Sequence, residues 1–146
     1  MNLSPEKNIE QDHIGKKPNV LIVDDEECIR DILQTFVTMS GFQADVSMTG
    51  KDAMCKVQKT YYDLVLLDVN LPDTEGIDLI TQIQGILPEI KIVVMTGENT
   101  REKELQARQY NIFYYLVKPF SLDELRGLLF HIEKRCQESL PTSLFQ

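Results

Sequence analysis

From Asn19 onward the chain alternates short apolar runs with longer segments in which apolar residues return every three or four positions. That alternation marks a parallel α/β sheet whose strands are joined by helical crossovers. The runs span 20–23, 42–48, 64–67, 92–95 and 112–117. Four of them are nearly continuous in apolar residues, as strands covered on both faces must be. The second alternates, with Phe42, Ala44, Val46 and Met48 separated by polar residues, which predicts a half-exposed edge strand.

Between the runs lie five segments of helical period. Ile29, Ile32, Leu33, Phe36 and Val37 make the first, with Gly41 placed to stop it. Thr49 and Asp52 open the second in a short-armed capping box, followed by Ala53, Met54 and Val57. Ile77, Ile80, Ile83, Ile86 and Leu87 carry the third, and Pro88 breaks it. The fourth, about 100–110, has only Leu105, Ala107 and Tyr110 among charged neighbours, so its buried stripe is thin and it is the helix most able to shift. Ser121 and Glu124 cap the fifth, which buries Leu125, Leu128, Leu129 and Ile132.

Residues 1–17 are polar and hold only Leu3, Ile9 and Ile14 as aliphatics, which predicts a disordered tail. A single domain is expected over 18–136, with a frayed tail over 137–146. The 146 residues suffice for one domain with a proper core. No apolar run reaches the ~18 residues of a membrane helix, and the N-terminus lacks the apolar stretch of a signal peptide. The 15 Lys and Arg against 23 Asp and Glu give a net charge of −8, which argues against a direct nucleic-acid or anionic-membrane surface. Cys28, Cys55 and Cys136 share no C-x-x-C spacing, and His13 and His131 lie far apart. Free thiols in a reducing cytoplasm and no zinc site are expected.

The polar residues change the picture because of where they fall. In an open parallel sheet the site lies beyond the carboxyl ends of the strands. The first strand ends in Asp24 and Asp25, the third in Asp68, the fourth in Thr96 and the fifth in Lys118. Each has an ordinary explanation when taken singly: a helix-terminal charge, a turn former, a cap, a surface amine. Together they do not, since carboxylates ~5 Å apart repel by roughly 3 kcal/mol per pair at an effective dielectric near 20. A hard divalent cation resolves that repulsion, and Mg²⁺ typically sits on one or two carboxylates beside a phosphoryl group. The Thr96 hydroxyl and Lys118 ammonium then suit two further phosphoryl oxygens, and Asp68 remains as the nucleophile of an aspartyl phosphate. Glu26 and Glu27 read as a solvated first turn of the first helix, without a metal role.

The stretches VLIVDDE, LVLLDVNLPDTEG, VVMTGE and YYLVKPF, in this order and each at a strand end, resemble the receiver domain of bacterial two-component response regulators. The likeness covers about 19–136. It implies a flavodoxin-like, doubly wound five-stranded parallel sheet in the order 2-1-3-4-5 with five helices. It further implies that Asp68 is the phosphoacceptor, that Asp25 binds Mg²⁺ directly and Asp24 through water, and that Asn70 offers its backbone carbonyl to the metal. Lys118 would pair with the phosphoryl group, and its bond to Pro119 would be cis. Thr96 would be the switch hydroxyl and Tyr115 the switch aromatic, together re-posing a face made of the fourth helix, fifth strand and fifth helix. Asn111 stands where many members have glycine, and asparagine tolerates the left-handed turn needed there. Tyr114 adds an aromatic that would enlarge the partner face.

The implied function is a phosphorylation-operated switch, not a turnover enzyme, although it assists its own phosphotransfer and dephosphorylation. Its donors would be a sensor histidine kinase or a phosphotransfer protein, its target a further protein, and a homodimer through the switch face stays open. A phosphatase of the haloacid-dehalogenase type would need an acid two residues after the nucleophile, and Asn70 cannot serve as one. A flavodoxin-like cofactor binder would need a phosphate-cradling loop where Asp24 to Glu27 stand. A pseudo-receiver that only docks partners is the first alternative, and an aspartyl-phosphate phosphatase ranks below it. The ten residues after 136 are too few for an output domain, so the chain acts alone or is a piece of a longer regulator.

Overall fold

The computed structural model describes residues 17–97 and 101–138. Five strands, β1 (Asn19–Val23), β2 (Gln43–Ser47), β3 (Leu64–Asp68), β4 (Lys91–Thr96) and β5 (Tyr114–Val117), form one sheet in the order β2-β1-β3-β4-β5. Every pairing is parallel. Parallel neighbours require crossovers, and these are helices: α1 (Glu27–Met39), α2 (Gly50–Lys59), α3 (Gly76–Ile86) and α4 (Arg101–Arg108), with α5 (Leu122–Glu138) closing the chain. This is the expected flavodoxin-like doubly wound fold. β2 lies at an edge, and its half-exposed pattern follows from having a neighbour on one side only.

Successive residues of each strand feed opposite faces of the sheet. Leu21, Val23, Val65, Leu67, Ile92 and Val94 pack under α2, α3 and α4 with Ala53, Val57, Leu79, Ile80, Ile83 and Ala107. Val20, Ile22, Leu64, Leu66, Val93 and Met95 pack under α1 and α5 with Leu33, Val37, Leu125, Leu128, Leu129 and Ile132. Full burial of each Val, Leu, Ile and Met among them contributes about 1.5–3 kcal/mol, so the two layers supply the main driving force for this sheet.

The caps follow the expected chemistry. Thr49 Oγ1 accepts the Asp52 amide at 3.1 Å, and Ser121 Oγ accepts the Glu124 amide at 3.1 Å. After α1 the chain turns at Gly41 with φ of 94°, and Asn111 takes φ of 57° before β5, both in the left-handed region. The Lys118–Pro119 bond is cis.

Helix faces differ from the periodic reading in detail. Ile32 is 54% exposed, while Arg30 shares the inner face of α1 with Leu33 and Val37. In α3 the buried face is Gly76, Leu79, Ile80 and Ile83, which leaves Ile86 exposed. In α4 only Ala107 is buried, and Leu105 faces solvent, so that helix is held more thinly still. α5 runs to Glu138, two residues into the expected tail. Residues 1–16 and 139–146, and Thr100 at the expected start of the fourth helix, lie outside the described residues. Among the described residues no helix is long and apolar enough to cross a membrane.

Candidate functional site

The parallel register brings the strand ends side by side. Val23 pairs with Leu67, so Asp24 follows β1 beside Asp68 at the end of β3. Asp68 in turn pairs with Met95 next to Thr96, and Thr96 pairs with Val117 next to Lys118. Residues up to 94 positions apart in sequence thus meet at one rim.

Lys118 organises that rim. Its Nζ donates to Asp24 Oδ2 at 2.7 Å and to Asp68 Oδ2 at 3.1 Å. Asp24 and Asp68 are buried, and the Lys118 side chain is only 12% exposed. Burial works against the ammonium, but the hydrogen bond to Asp24 and the charges of Asp68 and Asp24 outweigh it and raise the Lys118 pKa. Asp68 is also pushed up, first by its burial and further by the charge of Asp24, against the Asn70 amide and Lys118. The Asn70 amide donates to Asp68 Oδ1 at 2.9 Å and so orients the carboxylate.

Asp25 is exposed beside this pair. Carboxylate oxygens of Asp24, Asp25, Glu26 and Asp68 lie within 4.8 Å of one another. An all-oxygen set of this kind fits a hard cation such as Mg²⁺ and is a poor match for softer metals. Glu26 is the departure from the sequence reading. It is exposed, as a solvated residue should be, yet its carboxylate belongs to the cluster and lies 4.0 Å from Lys118 Nζ. The cause is local: Asp24 Oδ1 accepts the Glu26 amide at 2.9 Å, and this turn folds Glu26 back over the rim.

Thr96 is fully buried at the end of β4. Tyr115 is paired with Val94, so it shares the face of the sheet beneath α4 that Thr96 also occupies. The phenol is buried, and its oxygen makes no hydrogen bond of good geometry among the described residues. Burial and the Glu104 charge raise its pKa, opposed by the Thr96 hydroxyl. Tyr114 points outward on the same strand and donates its hydroxyl to Glu124 Oε1 at 3.1 Å.

Three supporting residues escaped the sequence reading. Arg30 Nη1 donates to the Asp24 carbonyl at 2.9 Å. Asp73 accepts the Gly50 and Lys51 amides at 2.9 and 3.0 Å, tying the loop after β3 to the start of α2. Gly76 lies so close to that loop that a Cβ there would stand 2.4 Å from Val69 Cα.

Comparison with protein families matches residues 20–130 to the response regulator receiver domain. The chain belongs to that family. Among curated relatives, the transcriptional regulatory protein ZraR of Salmonella typhimurium is 32% identical over 116 residues, covering 80% of this chain and 26% of ZraR. The DNA-binding transcriptional regulator NtrC of Azospirillum brasilense is 34% identical over 106 residues, covering 73% of this chain and 22% of NtrC. This receiver domain therefore spans about a quarter of the length of those relatives. Solved receiver structures superpose well. A CheY-like receiver protein of Methanospirillum hungatei has a TM-score of 0.75 at 26% identity, covering 84% of this chain and 96% of that one. A two-component response regulator of Clostridium difficile gives 0.78 at 28% identity, covering 82% and 98%.

A raised folded-state pKa at Asp68 sets a sign for stability. The stability linked to this group is present below its unfolded pKa and is lost as pH rises through its folded pKa. Asp68→Asn, which keeps the acceptor for the Asn70 amide, is therefore expected to melt higher than wild type at pH 7 without metal. The difference should shrink toward pH 4 as Asp68 itself takes up a proton. Thermal melts of both proteins across that range check it, and an Asp68→Asn protein less stable at pH 7 would refute the sign.

Proposed function

We propose that this receiver domain is a phosphorylation-dependent switch whose acceptor is Asp68. The observation that carries the reading is the single ammonium of Lys118 held between two buried carboxylates, Asp24 and Asp68, at the carboxyl edge of the sheet. An Asp68 oxygen attacks the phosphorus of a phosphohistidine on a sensor histidine kinase or phosphotransfer protein. The P–N bond breaks, the imidazole leaves with the electron pair, and an acyl phosphate is formed. Hydrolysis returns the switch: water attacks phosphorus, inorganic phosphate leaves, and the carboxylate is restored.

Asp25, Asp68 and the Asn70 carbonyl would hold Mg²⁺ directly and Asp24 through water, and the ion supplies neutralisation of charge spreading over the phosphoryl oxygens. Lys118, released from its carboxylate partners, pairs with one phosphoryl oxygen. Thr96 donates its hydroxyl to another. Tyr115, already buried beneath α4, reorients with the displaced Thr96 so that its hydroxyl gains a well-aligned hydrogen-bond partner, and α4 is re-posed. The single buried residue of α4 makes that movement inexpensive. The altered surface of α4, β5 and α5, with Tyr114 exposed upon it, is read by a downstream protein or a second copy of the domain. Because the kinase draws its phosphoryl group from ATP, the exchange belongs in the cytoplasm.

The test is intact mass after incubation with acetyl phosphate. With Mg²⁺ a gain of one phosphoryl group is expected, and excess EDTA should abolish it. A wild-type protein that binds Mg²⁺ and takes no phosphoryl group from acetyl phosphate or from any histidine-phosphorylated donor would favour a docking-only role.

A further inference from the structure

The buried face of α1 contains one residue that an apolar core does not explain. Arg30 sits in register with Leu33 and Val37 and is only 9% exposed. Placing a guanidinium there costs several kcal/mol of desolvation unless a partner offsets it. Among the described residues its hydrogen-bond partner is a backbone carbonyl and not a carboxylate. Nη1 donates to the backbone carbonyl of Asp24 at 2.9 Å, in a bond buried from solvent.

That bond completes a set. The Asp24 amide donates to the Ser47 carbonyl at 3.1 Å. Oδ1 accepts the Glu26 amide at 2.9 Å, and Oδ2 accepts Lys118 at 2.7 Å. With Arg30 on the carbonyl, every polar atom of Asp24 is engaged, and the peptide between Asp24 and Asp25 has its plane fixed. Without Arg30 the Asp24 carbonyl loses its partner, and the peptide that carries the exposed Asp25 carboxylate loses one restraint on its orientation.

We propose that Arg30 is a positioning residue of the acidic site. By gripping the Asp24 carbonyl it sets the direction in which Asp25 is presented to a divalent cation. This inference rests on the metal reading above and deepens it, because it names the residue that determines how well the cluster binds before any phosphoryl group arrives.

The sign of the effect separates positioning from charge. If Arg30 acted only as a positive charge beside four carboxylates, its removal would make the cluster more negative and tighten cation binding. If it positions Asp25, removal weakens binding, as loss of groups that orient metal ligands does by about 10- to 100-fold.

The experiment is a calorimetric titration of Mg²⁺ into the full chain without phosphodonor, for wild type, Arg30→Met, Arg30→Lys and Leu33→Ala. The last destabilises the same helix face without touching the turn, and melting of each metal-free protein gives the stability scale. Arg30→Met should weaken Mg²⁺ by about tenfold or more. Arg30→Lys, which can still donate to the carbonyl, should lie closer to wild type, and Leu33→Ala should bind as wild type does. Unchanged or tighter binding by Arg30→Met would overturn the proposal while leaving the metal reading intact. A loss in Leu33→Ala equal to that in Arg30→Met would also overturn it, as a stability effect. A wild-type chain that binds no Mg²⁺ would remove the metal reading and this inference together.

Discussion

Lys118→Met is expected to lower the melting temperature of the metal-free protein at pH 7 by roughly 10 °C, corresponding to about 3 kcal/mol. The side chain stands between Asp24 and Asp68, whose own side chains are 0% and 4% exposed. Their carboxylate oxygens lie within 4.8 Å, so two unneutralised charges would repel by about 3 kcal/mol at an effective dielectric near 20. The variant can escape part of this cost by protonating one carboxylate, and its deficit should therefore narrow between pH 7 and pH 5. The raised Lys118 pKa gives the complementary sign. Its stabilisation in wild type is complete below the unfolded lysine pKa and is lost only as pH rises through the higher folded value. Adding Mg²⁺ at about 100 times its dissociation constant should recover up to about 2.7 kcal/mol, and at one fixed Mg²⁺ concentration the gain should be larger in the variant, whose two carboxylates lack the ammonium. Differential scanning calorimetry over pH and Mg²⁺ concentration checks all three statements. A variant as stable as wild type without metal would show that the two carboxylates do not need the ammonium.

Gly76→Ala is expected to damage both stability and phosphorylation. The added Cβ would meet Val69 Cα at 2.4 Å and the Asp68 carbonyl at 3.1 Å. Both are backbone atoms, which cannot swing aside as a side chain can, so the clash must move the loop or α3. Overpacking of this kind costs about 1–3 kcal/mol. The displaced segment lies between Asp68 and Asn70, and the Gly76 amide itself donates to the Val69 carbonyl at 2.9 Å. A shift near 1 Å at a reacting carboxylate slows transfer by up to about 100-fold. The rate of phosphorylation by acetyl phosphate, measured well below the melting point, should therefore fall by about 10- to 100-fold. A rate equal to that of wild type would mean the loop absorbs the methyl group without moving Asp68.

The sheet is legible in the sequence because its strands are covered on both faces, and continuous apolar runs of four or five residues have few other uses. The rim is legible for a related reason: polar residues such as Asp24, Asp68 and Thr96 interrupt those runs where each strand ends. Helix faces are less so. Ile32, Ile86 and Leu105 fit a three-and-four spacing but are exposed, because a protein surface is not purely polar. Arg30 fits the same spacing as Leu33 and Val37, and that register was the available signal for a buried arginine. Asp73 and Gly76 could not be found this way. Their partners, the Gly50 amide and Val69 Cα, are set by how α2 and the loop after β3 approach one another in three dimensions. Glu26 joins the acidic cluster through a turn made by the Asp24 side chain, which spacing along a helix does not reveal.

Phosphorylation is expected to form an acyl phosphate on Asp68. The most direct measurement is to phosphorylate the protein with acetyl phosphate and Mg²⁺, reduce it with borohydride, and sequence the peptides by mass spectrometry. Reduction converts an aspartyl phosphate to homoserine, so position 68 should read as homoserine in wild type, while Asp68→Ala should yield no homoserine at any position. Homoserine at Asp24 or Asp25 in place of Asp68, or an Asp68→Ala protein that takes up phosphoryl groups as fast as wild type, would contradict the account.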